Sequence, residues 1–486
     1  MDFQNLVDGR LVPARSGDTI ESVEPSTATA WATIPRSGTA DIDAAVAAAR
    51  AAFDGWWGRA SLERAEYLRC ISDVMAAHGR ELAETETRDN GRPISETTTF
   101  DVPACVQMFQ YFAGASDKIG GETVNVSPGS FNFTRREPLG VVGIVIPWNA
   151  PLSLLSAKVG AALAAGNTVV VKPAEESSAS VLAWGALLEE TGIPPGVVNI
   201  VAGYGEEAGD ALVCHPGVAR VTFTGSTETA RIISQRAGPT LKQLAFELGG
   251  KSPNIVFADA DLDAAATGVS TTSIFTAGAG QTCIAGSRIL VEAPVFDEML
   301  ERIEKAAASV VLGDPLDDTT TMGPIVSESQ FTRVRSYLDL APHEGAELLF
   351  GGRTGAALFP DGSPLGRGYY VEPTLFRVER NDLRICQEEI FGPVATIKSF
   401  ESDDEAVATA NDTAYGLAAG VWTSNVKRAH RMIRDLHAGS VWVNAYRRIH
   451  WALPFGGWKD SGYGRDSGWE SILENTQLKT SWVDLT

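Results

Sequence analysis

Cys283 has the surroundings that most plainly permit chemistry. It closes the run Gly278-Ala279-Gly280-Gln281-Thr282-Cys283, whose glycines let backbone amides approach a reacting atom. A thiolate attacks carbonyl carbon, and a free thiol titrates near about 8.5, so a site built on one must assist its ionisation or capture. Cys70, Cys105, Cys214 and Cys386 lack such a setting, and a lone cysteine is most often a small buried apolar side chain. Glu247 is the second candidate. It lies in Phe246-Glu247-Leu248-Gly249-Gly250-Lys251, and a carboxylate among apolar neighbours is costly unless paired. It is therefore either a paired structural group or a general base. Lys172-Pro173-Ala174-Glu175 and Phe223-Thr224-Gly225-Ser226 each leave an apolar, β-branched run and open a helical one. They are ordinary strand-to-helix turns, or they edge a ligand crevice, where free amides at a helix start hold a pyrophosphate. Neither they nor Gly203-Tyr204-Gly205 carries the usual glycine fingerprint; Ala230 stands where the later glycine would fall.

The elements that must position these residues follow from apolar spacing. Between Pro138 and Phe257 strands and helices alternate. Strands are expected at Val141–Ile146, Thr168–Val171, Val197–Val201 and Val218–Phe223, and helices at Leu152–Ala165, Ser178–Glu190, Glu206–Cys214 and Glu228–Gln235. This rhythm predicts a mostly parallel sheet covered on both faces, the arrangement used for dinucleotides. Upstream, helical spacing runs from Asp41 and through Ser61–Thr87, is interrupted at Asn90, Gly91 and Pro93, and resumes from Asp101 towards Ile119. Gly120–Arg136 alternates Val124, Val126, Phe131 and Phe133 around Ser127-Pro128-Gly129-Ser130 and reads as a hairpin whose apolar side chains need a partner. A second α/β region follows Gly249, with strands such as Ile289–Val291 and Val441–Val443, and the tail alternates through Leu478, Thr480, Trp482 and Asp484.

The chain of 486 residues is about three times a typical domain of roughly 150, so two or three domains are expected. With 40 basic and 61 acidic residues the net charge is −21, which argues against nucleic acid or an anionic membrane as partner. Five cysteines without a CxxC pair argue against a disulfide scaffold or a structural zinc site and fit a reducing cytoplasm. No metal site is expected. The start has no secretory pattern, and the apolar stretch Leu139–Val171 is broken by Pro147, Asn149, Pro151, Lys158 and Asn167, so no membrane helix of roughly 20 apolar residues is expected.

Taken together, Pro147-Trp148-Asn149, Lys172-Pro173-Ala174-Glu175, Phe223-Thr224-Gly225-Ser226, Glu247-Leu248-Gly249-Gly250-Lys251, Gly280-Gln281-Thr282-Cys283, Glu389-Ile390-Phe391-Gly392-Pro393 and Pro454-Phe455-Gly456-Gly457 resemble, in order, the motifs of the NAD(P)-dependent aldehyde dehydrogenase superfamily. The resemblance implies an α/β fold of three parts. Residues 1–119 and 138–249 form a Rossmann-type NAD-binding domain, 250–466 an α/β catalytic domain, and 120–137 with 467–486 a β-strand oligomerisation arm. It implies that Cys283 is the nucleophile, that Asn149 with the Cys283 amide stabilises the oxyanion, and that Glu247 activates water. One such oxyanion donor is worth about 3–4 kcal/mol. It places Trp148, Lys172, Glu175, Phe223, Gly225, Ser226, Glu389 and Phe391 around the cofactor, with NAD favoured over NADP because the Glu175 carboxylate repels a 2′-phosphate. Lys158 and Asp466 align with a proton-relay pair in which the family often has Glu at the second position. The expected partners are a small aldehyde and a second copy of the chain, as dimer or tetramer, in the cytoplasm.

Ala150 and Ala157 stand where relatives carry bulky residues, so the expected substrate is bulky or aromatic. Arg447 or Arg448 could attract a substrate carboxylate; the favoured reading is a surface loop facing solvent or another subunit. A thiol esterase using Cys283 leaves Glu175, Ser226 and Glu389 unexplained, and a non-enzymatic binding protein leaves Asn149, Glu247 and Cys283 unexplained.

Overall fold

A computed structural model describes residues 1–276 and 278–486. The expected βαβα stretch forms one face-covered sheet. Its core is five parallel strands in the order Val198–Ile200, Thr168–Pro173, Val141–Ile146, Arg220–Thr224 and Gln243–Glu247. Asn5–Val7 extends one edge in antiparallel sense, with Arg10–Val12 outside it. Every residue of Thr168–Pro173 and Arg220–Thr224 is buried, which is why these strands read as continuous apolar runs rather than alternating ones. Strand order reverses between Val141–Ile146 and Arg220–Thr224, so a crevice opens at their carboxyl ends.

A second sheet has the order Glu347–Phe350, Thr374–Arg377, Val394–Phe400, Arg288–Glu292, Pro253–Val256, Ala418–Trp422 and Ser440–Val443. All neighbours run parallel except the first pair. Only five residues separate the end of Gln243–Glu247 from the start of Pro253–Val256. The carboxyl edge of the first sheet therefore meets the amino edge of the second.

Three departures from the sequence reading have local causes. The helical stretch from Ser61 divides at His78 into Ser61–Ala77 and Gly79–Asn90. The pair Gly462–Tyr463, within the span read as catalytic domain, crosses back and pairs antiparallel with Phe246 and Glu247 of the first sheet; two residues beside glycines carry no strand periodicity. The hairpin forms around Ser127–Ser130, but the strand Ser130–Pro138 takes its long partnership with the tail. It pairs over nine residues with Thr476–Asp484, whereas Glu122 and Val124 contribute single bonds to Thr134 and Asn132.

Asn167 ties these parts together. Its Oδ1 accepts from the amides of Leu139 and Gly140 at 2.7 and 3.0 Å, and its Nδ2 donates to the carbonyls of Ala162 and Asn475. Arg220 reaches the Glu474 carboxylate at 2.7 Å. The helix Pro151–Ala164, with proline at its first position where the missing N–H costs nothing, lies almost wholly inside the core. Among the described residues no helix is long and apolar enough to cross a membrane.

Candidate active site

Four strands of the first sheet empty into one crevice. Val141–Ile146 runs out into Pro147-Trp148-Asn149, Thr168–Pro173 carries Lys172 near its end, Arg220–Thr224 leads to Gly225-Ser226, and Gln243–Glu247 ends on Glu247. A cleft of about 550 Å³ is lined by Trp148, Lys172, Glu175, Phe223, Gly225 and Ser226, among others. Lys172 is buried and pairs with the partly exposed Glu175 at 2.8 Å. Ser226 caps the helix Thr227–Ala237 by accepting from the Thr229 amide at 3.1 Å. The helix start and its dipole thus face the cleft, where an anionic group is favoured. A Cβ on Gly225 would run into the Phe223 ring, so the turn here has no room for a side chain.

The opposite wall comes from segments that precede strands of the second sheet. The loop to Cys283 turns on Ala279 and Gly280, at φ 52° and 70°, and a Cβ on Gly280 would enter the Gly392 carbonyl. Gln281 is buried and pins the loop: its amide donates to Gly278 and Pro324 carbonyls, and its Oε1 accepts from Val326 at 2.9 Å. Gly249 leaves the space that the Glu389 carboxylate fills, and a Cβ on Gly250 would lie 2.6 Å from the Cys283 carbonyl. Glu389 accepts from the Gly250 amide at 2.9 Å. Burial pushes Glu389 up to about 7, opposed by that amide and by Lys251 and Arg333. Burial lowers Lys251 to about 8.

Helix Glu328–His343 grips the same segment. Gln330 donates to the Ile390 and Phe391 carbonyls, both at 2.9 Å, and Arg333 donates to the Glu389 carbonyl at 2.6 Å. These bonds hold Phe391 in the left-handed region at φ 60°, a costly conformation for a bulky residue. Its ring stands edge-on to Trp148 with centroids 5.2 Å apart.

Cys283 is half-buried, and all five cysteines are free thiols. Burial pushes the Cys283 thiol up to about 12; the Glu389 and Glu247 carboxylates add to this, and the amides of Ile284 and Cys283 oppose it. The thiol is therefore protonated at neutral pH. Asn149 donates its side-chain amide to the Gln281 carbonyl at 3.0 Å, which leaves the second proton of the same NH₂ uncommitted. Cys283, Trp442, Ile449 and Phe455 pack against the buried apolar cluster of Ile284, Leu417 and Ala418.

Glu247 is buried, and neither carboxylate oxygen has a hydrogen-bond partner. Of the two readings its sequence allowed, the paired structural group is not what the structure contains. Burial holds it well above the usual carboxylate range; Asp466 adds to the shift, and Lys158 and Arg465 oppose it. Lys158 pairs with Asp466 at 2.7 Å and donates to Thr222 Oγ1 at 2.9 Å, so the shorter aspartate does reach the lysine. Arg447 is not free for a ligand carboxylate, because it pairs with Glu96 at 3.2 Å and donates to the Thr272 carbonyl. Among the described residues no group of three or more His, Cys, Asp or Glu side chains could hold a metal ion.

The family model for the aldehyde dehydrogenase family matches residues 11–481, and the chain belongs to that family, oxidoreductases acting on aldehydes. DhaS of Bacillus subtilis is 44% identical over 481 residues, covering 99% of this chain and 95% of its own. Among solved structures, PnpE in complex with nicotinamide adenine dinucleotide has a TM-score of 0.97 at 44% identity and covers 100% of this chain and 98% of its own. AldA of P. syringae, an indole-3-acetaldehyde dehydrogenase solved with NAD⁺ and IAA, has a TM-score of 0.96 at 39% identity, with 99% and 96% covered.

Sequence reasoning passed over Gln330, Arg333, Thr222 and the pair Asn90 and Arg92. Gln330 and Arg333 bind backbone carbonyls across a long sequence separation, which leaves no local signal. Asn90-Gly91-Arg92-Pro93 reads only as a helix stop. The approach of Gly250 to the Cys283 carbonyl gives a direct test. Gly250→Ala, which displaces the Cys283 carbonyl, is expected to lower aldehyde turnover by about 100-fold or more in steady-state kinetics; unchanged kcat would mean the loop yields freely.

Proposed function

We propose that this protein oxidises an aldehyde to its carboxylic acid with NAD as hydride acceptor, through a thioester on Cys283. The observation that carries this reading is Glu247: a buried carboxylate with both oxygens unpartnered, electrostatically coupled to Cys283 and ending a strand that opens on the same crevice. An enzyme that stopped at acyl transfer would have no use for it. Cys283 gives up its proton to solvent, and its sulfur bonds to the aldehyde carbon as the carbonyl π pair moves onto oxygen. The free N–H of Asn149 and the Cys283 amide receive the resulting oxyanion. NAD, when bound, accepts the hydride that converts this adduct to a thioester. Glu247 then takes a proton from water as the water attacks the thioester carbon, releasing the acid and restoring the thiol.

Lys172, Glu175, Ser226, Glu389 and Phe391 would hold NAD. Glu175 supports NAD over NADP. Its carboxylate can accept from ribose hydroxyls, it repels a 2′-phosphate, and it already neutralises Lys172 at 2.8 Å. PnpE, similar over the whole chain, was solved with this dinucleotide. Glu247 works only when ionised. Its raised pKa places the rise of the hydrolytic step above the usual carboxylate range, and the step is lost as pH falls below that raised value. Cys283→Ala is expected to abolish reduced-cofactor production. Glu247→Gln is expected to release about one equivalent per site in a burst and then turn over about 100- to 10,000-fold slower. Stopped-flow absorbance distinguishes the two, and a Glu247→Gln variant with full steady-state turnover overturns the base assignment.

 The proposed substrate is a bulky or aromatic aldehyde, selected by an apolar wall rather than by a cation. Ala150 and Ala157 add no bulk along the helix beside Asn149, Ile449 and Phe455 share an apolar cluster with Cys283, and Arg447 is paired with Glu96. The similar AldA carries the name of an aromatic aldehyde's dehydrogenase. Benzaldehyde-type substrates are expected to exceed acetaldehyde in kcat/KM by about 10-fold or more, since each buried methylene is worth about 0.8 kcal/mol; a preference for acetaldehyde overturns the wide channel.

A second copy of the chain is the proposed partner of the arm. Its paired strands leave Phe131, Leu478, Trp482 and Leu485 exposed, Leu478 at 59% and Trp482 at 60%, and exposed apolar surface of this kind marks an association site. Light scattering at micromolar concentration is expected to give the mass of a dimer or tetramer; the 51.6 kDa monomer would refute it.

A further inference from the structure

The turn that stops the helix Gly79–Asn90 lies directly behind the crevice. Arg92, within it, is buried. Its Nε and Nη2 donate to the two oxygens of Asp101 at 2.8 and 3.1 Å, and Nη2 also lies 2.9 Å from Glu96. The remaining nitrogen, Nη1, donates to the Asn149 carbonyl at 3.3 Å. On its other side is Gly278, where a Cβ would lie 3.3 Å from Nη1. The neighbouring Asn90 accepts from the Arg92 amide at 3.0 Å and donates to the Trp148 carbonyl at 3.4 Å. One guanidinium therefore stands between the backbone of Asn149 and the start of the loop that ends at Cys283.

We propose that Arg92 is a positioning residue that sets the Asn149 amide relative to Cys283. The proposal rests on the reading of Asn149 as oxyanion donor. A purely structural ion pair would be complete with Asp101 and Glu96, and Glu96 has a second cation in Arg447 at 3.2 Å. Buried ion pairs contribute little net stability compared with apolar packing. What a rigid guanidinium fork adds is direction. With Nε and Nη2 fixed on one carboxylate, Nη1 can point only one way, and here it points at the residue whose side chain reaches the Gln281 carbonyl at 3.0 Å. Lysine, a point charge on a flexible stem, can keep the ion pair and lose that direction.

A double-mutant cycle tests this. Asn149→Ala alone is expected to lower kcat by about 100-fold or more, and Arg92→Lys alone by about 10-fold or more. If Arg92 acts through Asn149, the double variant runs within about twofold of Asn149→Ala. NAD binding, followed by fluorescence titration, stays within about twofold in all three, since neither Arg92 nor Asn149 lines the cofactor cleft. Arg92→Gln combined with Asp101→Asn removes both charges of the buried pair together, and it enters the same cycle if the lysine variant does not fold. Equal losses from Arg92→Lys with and without Asn149, or full kcat in Arg92→Lys, overturn the proposal. Full kcat in Asn149→Ala overturns the oxyanion reading itself, and that result is seen before Arg92 is changed.

Discussion

Two missing side chains make the site possible. At Gly249 a single carbon would occupy the place of the Glu389 carboxylate, and at Gly250 it would press on the Cys283 carbonyl. Because both positions are bare, three segments that precede strands of the second sheet approach the end of the first sheet within hydrogen-bonding distance. The junction between the sheets is thus also the floor of the crevice. Every group assigned a role hangs from one side of it or the other, and a shift of about 1 Å there is enough to misalign a reacting pair.

Electrostatics follow from the same enclosure. Burial raises Cys283, Glu247 and Glu389 together, so the site holds its protons more tightly than water would. That suits the base role proposed for Glu247, since a stronger conjugate base is a better acceptor. It sets a demand on the proposed nucleophile, whose thiol must give up its proton to form the first bond. In the same proposal Asn149, tied to the Gln281 carbonyl through one N–H, shares the resulting charge through the other.

Much of this was legible in the residues. Continuous β-branched runs marked the strands Val141–Ile146 and Thr168–Pro173 because both faces of the sheet are covered. Chain order then put Lys172, Ser226 and Glu247 at one edge, and the glycines around Cys283 announced a tight loop. What could not be read were contacts set by packing at long separation. Gln330 holds the Phe391 backbone from 61 residues away, and Arg92 meets Asn149 from 57 away. The arm shows the same limit: alternation identified a hairpin over Gly120–Arg136 but could not say that the main partner of its strand Ser130–Pro138 is the last strand, Thr476–Asp484.

Asn167 bonds at once to Leu139 and Gly140, which lead into the strand Val141–Ile146, and to Asn475, while Gly462–Tyr463 closes the far edge of the same sheet. During synthesis from the amino end, the first sheet is thus incomplete until Gly462 and Tyr463 have emerged. Its edge strand Gln243–Glu247 stays uncovered while more than two hundred further residues are added, a long exposure for a strand able to pair with another chain. The arrival of Gly462–Tyr463 is the event that covers this edge.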